Sequence, residues 1–219
     1  TMLQAQYRLD CVVTLVDAVN GIGQLDTLKE PVKQAALADR LVITKSDLVT
    51  AAQVDALAAR LRELNPTAPT KRAVNGEIDV PFLTGIGLET AKSRMEEIER
   101  WMGAEPHDEH GHVHRHESDI RTFSLRYEEA FTWTTFTQCM EVLTAMRGPD
   151  LLRVKGFVNV VGRHGPLVVQ SVQHVFHPPV ELAEWPSDDR TTRLVFITRG
   201  IERPAVTALF DAVRAVAPR

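Results

Sequence analysis

Two cysteines, Cys11 and Cys139, are all that 219 residues contain. They lie far apart in apolar surroundings, which excludes a disulfide framework and fits buried thiols in a reducing compartment better than a disulfide or a metal pair. Long apolar runs are also missing. Cys11–Val16 and Leu194–Ile197 fall far short of the roughly 20 residues that cross a bilayer as a helix, so no membrane partner is expected. Charge of one sign is not in excess either. A formal net charge of -4 supplies no basic field to release counterions from a phosphate backbone, which excludes nucleic acid as the main partner. The opening residues Thr1–Asp10 show no basic stretch followed by an apolar one, so the expectation is a cytoplasmic protein without a secretion signal. No Ser/His/Asp set or carboxylate pair at recognisable spacing argues for an unrelated α/β enzyme. Finally, no G-x-x-x-x-G-K-S/T loop is present to cradle phosphates. Gly21-Ile22-Gly23 and Gly85-Ile86-Gly87 lack the lysine and read as loop glycines.

What the chain does contain is ordinary folded composition, 44% hydrophobic with 12 Gly and 12 Pro, and more length than one typical domain of about 150 residues. The first hundred residues alternate strand and helix signals. Cys11–Val16 and Leu41–Thr44 are short continuous β-branched runs, as expected of strands buried on both faces. Thr50 with Gln53 forms a capping-box start, and Val54, Leu57, Leu61 and Leu64 follow at helical spacing until Pro66. Leu88, Ala91, Met95, Ile98 and Met102 predict a further helix closed by Gly103. This βαβ grammar places ligands at the carboxyl ends of strands, after Val16 and after Thr44. The last hundred residues differ. Strand runs at Phe123–Tyr127, Leu152–Val161, Leu167–Phe176, Val180–Ala183 and Arg193–Thr198, with helices through Phe136–Met146 and Val206–Val213, predict an antiparallel sheet covered by two helices. On the second of those strands Arg153 and Lys155 alternate, as a solvated face or a docking patch would.

The sharpest short motif is Thr44-Lys45-Ser46-Asp47 at the end of a predicted strand. In an N/T-K-x-D turn the carboxylate accepts hydrogen bonds from the ring N–H and the exocyclic amine of guanine, a donor pair adenine lacks, while the lysine stem lies over the base. A strand-to-helix turn can also carry Lys and Asp merely as solvated residues, and the motif alone does not separate the two.

Leu15-Val16-Asp17-Ala18 and the segment Gln34–Val49, followed by Leu151–Phe157, Val169–Gln173 and Phe196-Ile197, resemble the CobW family of metal-handling P-loop GTPases, in the family's order and over nearly the whole chain. That family includes activators of nitrile hydratase and is related to GTPases that mature urease and hydrogenase. The resemblance implies an α/β fold: part of a P-loop GTPase parallel sheet with flanking helices over 1–104, a His-rich linker over 105–118, and a small α+β domain with an antiparallel sheet and two helices over 119–219. It implies Asp47 as the guanine-reading carboxylate, Lys45 stacked along the base, and Thr44 where many GTPases have Asn. It places Ala73-Val74-Asn75-Gly76 where a further loop offers backbone groups to the base, although Gly76 is equally readable as a plain turn glycine. The family's phosphate loop and its Cys-x-Cys-Cys metal motif are not in this sequence. The expectation is therefore a portion of a longer GTPase, with little or no GTP affinity by itself, whose complete form uses GTP and Mg²⁺.

Five of the eight histidines, His107, His110, His112, His114 and His116, fall within ten residues, in a segment with almost no apolar content that reads as a tether. In an extended chain the last four project to one side at about 6.5–7 Å intervals. Neutral imidazoles suit Zn²⁺, Co²⁺ and Ni²⁺, and Asp108, Glu109 and Glu117 lie beside them. The alternative is a polar linker with no dedicated ion. Taken together, the sequence predicts a GTP-dependent metallochaperone or metal-cofactor insertase, for instance in cobalamin synthesis, whose client is a metalloprotein or a cofactor-synthesis enzyme and which can form a homo-oligomer. The competing reading is a nucleotide-independent metal-binding or protein-docking module.

Overall fold

The computed structural model describes residues 10–84, 119–173, 175–185 and 187–217. They form two compact units, one holding 10–84 and the other 119–217. The expected helix over Leu88–Met102, the second glycine pair and the whole histidine segment lie outside the described residues.

The first unit is a three-stranded parallel sheet in the order β1-β2-β3, with β1 Val13–Asp17, β2 Arg40–Thr44 and β3 Thr70–Ala73. Helices α1 Gly21–Thr27 and α2 Lys29–Leu37 link β1 to β2, and α3 Ala51–Leu64 links β2 to β3. A short α4, Val80–Leu83, follows. β2 is central, and Arg40 to Ile43 are all buried, as its continuous apolar run requires. The start of α3 is as predicted: Thr50 accepts from the Gln53 N–H while the Gln53 side chain reaches back to the Thr50 N–H. At the other end of α3 Asn65 is fully buried. Its amide donates to the carbonyls of Ala35, Ala36 and Ala38 at 2.9, 3.2 and 2.9 Å, and its Oδ1 accepts from Thr67 Oγ1 at 2.8 Å. One asparagine thus ties the end of α3 to carbonyls at the C-terminal end of α2.

Gly21 corrects one expectation, since Gly21 and Gly23 lie in the first turn of α1 rather than in a loop. A Cβ on Gly21 would meet Val16 Cγ1 at 2.9 Å and the Leu57 methyls at 3.2 Å, so glycine here serves close helix-to-sheet packing. β1 begins at Val13, two residues later than its apolar run, and Leu15 on this edge strand remains 66% exposed.

The second unit is an antiparallel sheet in the order β4-β9-β5-β6-β7, with β8 also on β6. Its strands are β4 Ile120–Tyr127, β5 Leu151–Val158, β6 Leu167–Val172, β7 Val175–Phe176, β8 Val180–Glu181 and β9 Thr192–Arg199. Helices α5 Trp133–Arg147 and α6 Arg203–Val216 accompany it. Phe123, Phe136, Cys139, Leu143, Val154, Phe196, Val206 and Phe210 share one core. Two expectations are corrected here. The run Leu167–Phe176 is a hairpin, because Gln173 adopts φ 53 and reverses the chain. Arg153 and Lys155 are not a solvated or docking face: each is 2% exposed, and all eight residues of β5 are buried between β9 and β6. Alternating charge marks one sheet face but carries no information on whether that face is wet.

Candidate functional site

Parallel pairing sets the carboxyl ends of the first unit's strands side by side: Asp17 lies abreast of Thr44, and Thr44 abreast of Ala73. Three loops therefore leave the sheet at one edge, where open α/β sheets bind ligands. The middle loop is the Thr44-Lys45-Ser46-Asp47 turn. Lys45 adopts the left-handed conformation, φ 56 and ψ 29, before a 3-10 turn over Ser46–Leu48. For a residue with a Cβ that conformation costs about 1–2 kcal/mol. It persists only where surrounding contacts hold it.

The contacts are present. Lys45 Nζ donates to Asp17 Oδ2 at 2.6 Å. Asp17 Oδ1 in turn accepts from the Val19 N–H at 2.7 Å and the Asn20 N–H at 3.4 Å, and Oδ2 accepts from Asn20 Nδ2 at 3.2 Å. The Lys45 ammonium, with these donors, holds the Asp17 carboxyl down at about 2, well below the ordinary carboxylate range. The strands are joined again where the Ala18 N–H donates to the Thr44 carbonyl at 2.9 Å. Thr44 Oγ1 donates to the Val16 carbonyl at a long 3.4 Å, a weak brace toward β1. Asp47 is exposed and accepts no hydrogen bond from a described residue, so its carboxylate is available to donors from solvent.

The third loop follows β3. Asn75 and Gly76 have φ 51 and φ 81, and the Glu77 N–H donates to the Val74 carbonyl at 2.9 Å. Two successive left-handed residues closed by that bond make a tight primed hairpin turn, for which Asn-Gly is the favoured pair. The structure thus brings Thr44, Lys45, Asp47, Asn75 and Gly76 to one sheet edge. His107, His110, His112, His114 and His116 lie outside the described residues. Among the described residues, no three His, Cys, Asp or Glu side chains gather to hold a metal ion. No described helix is long and apolar enough to cross a membrane. Asp17 joins this edge without having been a candidate in the sequence; its signal is a strand ending in Asp and followed three residues later by Asn20, which suits a carboxylate that caps its own loop.

The second unit offers a pocket of about 390 Å³ lined by Glu129, Phe131, Thr132, Thr135, Asp211 and Arg214 among others. The Arg214 guanidinium pairs with Glu129 at 2.7 Å and lies over the rings of Phe131 and Tyr127 at 4.7 and 5.0 Å. Burial pushes the Tyr127 hydroxyl up to about 12 and the Cys139 thiol up to about 11. A thiol so placed stays protonated and inert at neutral pH.

A parallel sheet with its loops gathered at the carboxyl edge defines the open α/β class, which binds ligands at that edge, and comparison with known proteins narrows it. Residues 1–72 match the family described as CobW/HypB/UreG, nucleotide-binding domain, and residues 120–214 match the cobalamin synthesis protein cobW C-terminal domain. The chain belongs to the CobW family. It is 26% identical over 213 residues to the zinc chaperone YjiA of Escherichia coli (strain K12), covering 97% of this chain and 64% of that protein. With the zinc chaperone CobW of a Sinorhizobium species it shares 28% identity over 235 residues, covering 94% of this chain and 65% of that protein. Two solved structures share the fold: a Zn(II)-bound triple mutant of the YjiA GTPase, with a TM-score of 0.72 at 23% identity, and Zn(II)-bound YjiA GTPase from E. coli, with 0.70 at 24%. In both the match covers 97% of this chain and 64% of the other. The chain therefore spans slightly less than two thirds of the length of these relatives.

Proposed function

We propose that this chain carries the guanine-reading part, the metal-holding segment and the client-recognising domain of a GTP-dependent zinc chaperone. The observation that carries the reading is the turn after β2, where Lys45 is fixed in the left-handed conformation and Asp47 stands exposed at the edge shared by three strand ends. A carboxylate there can accept both guanine N–H groups, with the Lys45 stem along the base; the Asn75-Gly76 turn borders the same edge. Family membership and the zinc chaperones among the relatives support the assignment of zinc as cargo. In this reading 1–104 is GTPase, 105–118 is the tether whose His107, His110, His112, His114 and His116 hold Zn²⁺, with Co²⁺ and Ni²⁺ as further candidates, and 119–219 recognises the client. GTP hydrolysis with Mg²⁺ belongs to the whole protein, whose two nucleotide states bias the arrangement that releases the metal.

The guanine reading is tested by NMR titration of the chain with GMP and AMP. Chemical shifts around Thr44–Leu48 should move with millimolar GMP and not with AMP. Asp47→Asn should lose the GMP preference and gain one for xanthosine monophosphate, because an amide N–H can donate to the oxygen that replaces the guanine amine. The change should be about tenfold, the scale of a bidentate base contact of about 1–3 kcal/mol. Equal binding of GMP and AMP would overturn the reading. For the metal, calorimetry should show Zn²⁺ binding that disappears when the five histidines are replaced by Ser; loss of guanine recognition with retention of this heat would leave a nucleotide-independent metal module.

A further inference from the structure

We infer that Asp17 is the positioning residue of Lys45, holding its side chain in the orientation in which the methylene stem lies along a guanine base read by Asp47. The inference rests on the guanine-site reading above. Asp17 ends β1 directly abreast of Thr44, so its carboxylate stands beside the first residue of the motif although 28 positions separate it from Lys45. That carboxylate is itself fixed, because both its oxygens accept hydrogen bonds from the loop it begins, from the Val19 N–H, the Asn20 N–H and Asn20 Nδ2. Lys45 is the adjustable partner: its side chain is 55% exposed, against 20% for Asp17, and the only described acid it pairs with is Asp17. A long exposed lysine stem otherwise samples many rotamers, and the ordering would be charged to each nucleotide bound. An ion pair to an immobile carboxylate carries that cost before the base arrives. The left-handed backbone of Lys45 belongs to the same device, since it carries the side chain back toward β1 instead of onward with the 3-10 turn.

The test uses the whole chain and the GMP titration, with AMP as control. Asp17→Asn is nearly isosteric and keeps an oxygen for the Val19 N–H, so the loop is retained while the charge is lost. It should weaken GMP binding about twofold to fivefold, the range of an exposed ion pair, and leave the response around Asp47 confined to GMP. Lys45→Met should cost the same, and the double variant no more than either. Asp17→Glu, which restores the charge, should recover part of the loss, an effect a purely structural role for Asp17 would not give. Unchanged GMP affinity in Asp17→Asn, a further loss on adding Asp17→Asn to Lys45→Met, or equal losses in the Asn and Glu variants would each overturn the inference while leaving the guanine site standing. Absence of any GMP preference in the native chain would instead overturn the site reading, and this inference with it.

Discussion

Asn65 closes the C-terminus of α2 with a side chain rather than with a glycine. It is buried completely and its amide donates to the carbonyls of Ala35, Ala36 and Ala38, the first of which also accepts from the Ala38 N–H. Asn65→Ala should therefore destabilise the first unit by about 2–3 kcal/mol, since the stranded carbonyls cost more than the bonds contributed. Hydrogen exchange of the β2 amides measures it: their protection should fall by that amount while the amides of β9 keep theirs. How much was legible at this scale follows from sequence distance. The turn of Thr44, Lys45 and Asp47 was legible because it is written in four adjacent letters. The long-range bonds of Asn65 and Asp17 were not, because the carbonyls that Asn65 serves and the ammonium that Asp17 holds lie 27 or more positions away and only the fold brings them together.

At the scale of elements, two glycines measure how closely neighbouring elements approach. Gly21 lets α1 lie against Val16 and Leu57, and Gly156 on β5 lies so close to β9 that an added Cβ would overlap the Arg193 carbonyl oxygen. Gly156→Ala should disrupt the centre of the second sheet and cost about 3 kcal/mol or more, read as a lower urea midpoint by tryptophan fluorescence; an unchanged midpoint would mean that β5 and β9 part without penalty. Elements with strong local signals were visible beforehand, such as α3 with its Thr50–Gln53 box and the amphipathic α6. β3 was faint because three of its four residues are exposed on an edge strand. The burial of Arg153 and Lys155 was unreadable because it depends on where β5 falls in the sheet order, and that order joins strands from opposite ends of the unit.

At the scale of the molecule, ionisable groups bound its stability on both sides. Lys45 holds Asp17 at about 2, and Asp79 and Asp150 are lowered by Lys71 and by Arg199 with Arg147. A carboxyl depressed in the folded state contributes stability above its unfolded value near 4, and that contribution is lost as pH falls below it. Tyr127 and Cys139 are raised to about 12 and about 11 by burial. They favour the folded state below their unfolded values of about 10 and about 8.5, and this is lost as pH rises through the folded ones. Urea titrations from pH 3 to 11 should show a plateau at neutral pH, with an acid fall reduced in Asp17→Asn and an alkaline fall reduced in Tyr127→Phe. A flat alkaline limb in the native chain would contradict the burial of Tyr127.

The strand order of the second sheet also dictates a schedule. β9 lies between β4 and β5, pairing with β4 over eight residue pairs from Ile120–Arg199 to Tyr127–Thr192. Of these strands a ribosome delivers β4 first and β9 last, at about 5–20 residues per second. For several seconds of synthesis, then, Phe123 and Leu125 emerge on a strand whose only described neighbour has not yet been made. The hairpin β5–β6 can form meanwhile, but the core holding Phe196 closes only when the final strand slides between two that are already waiting.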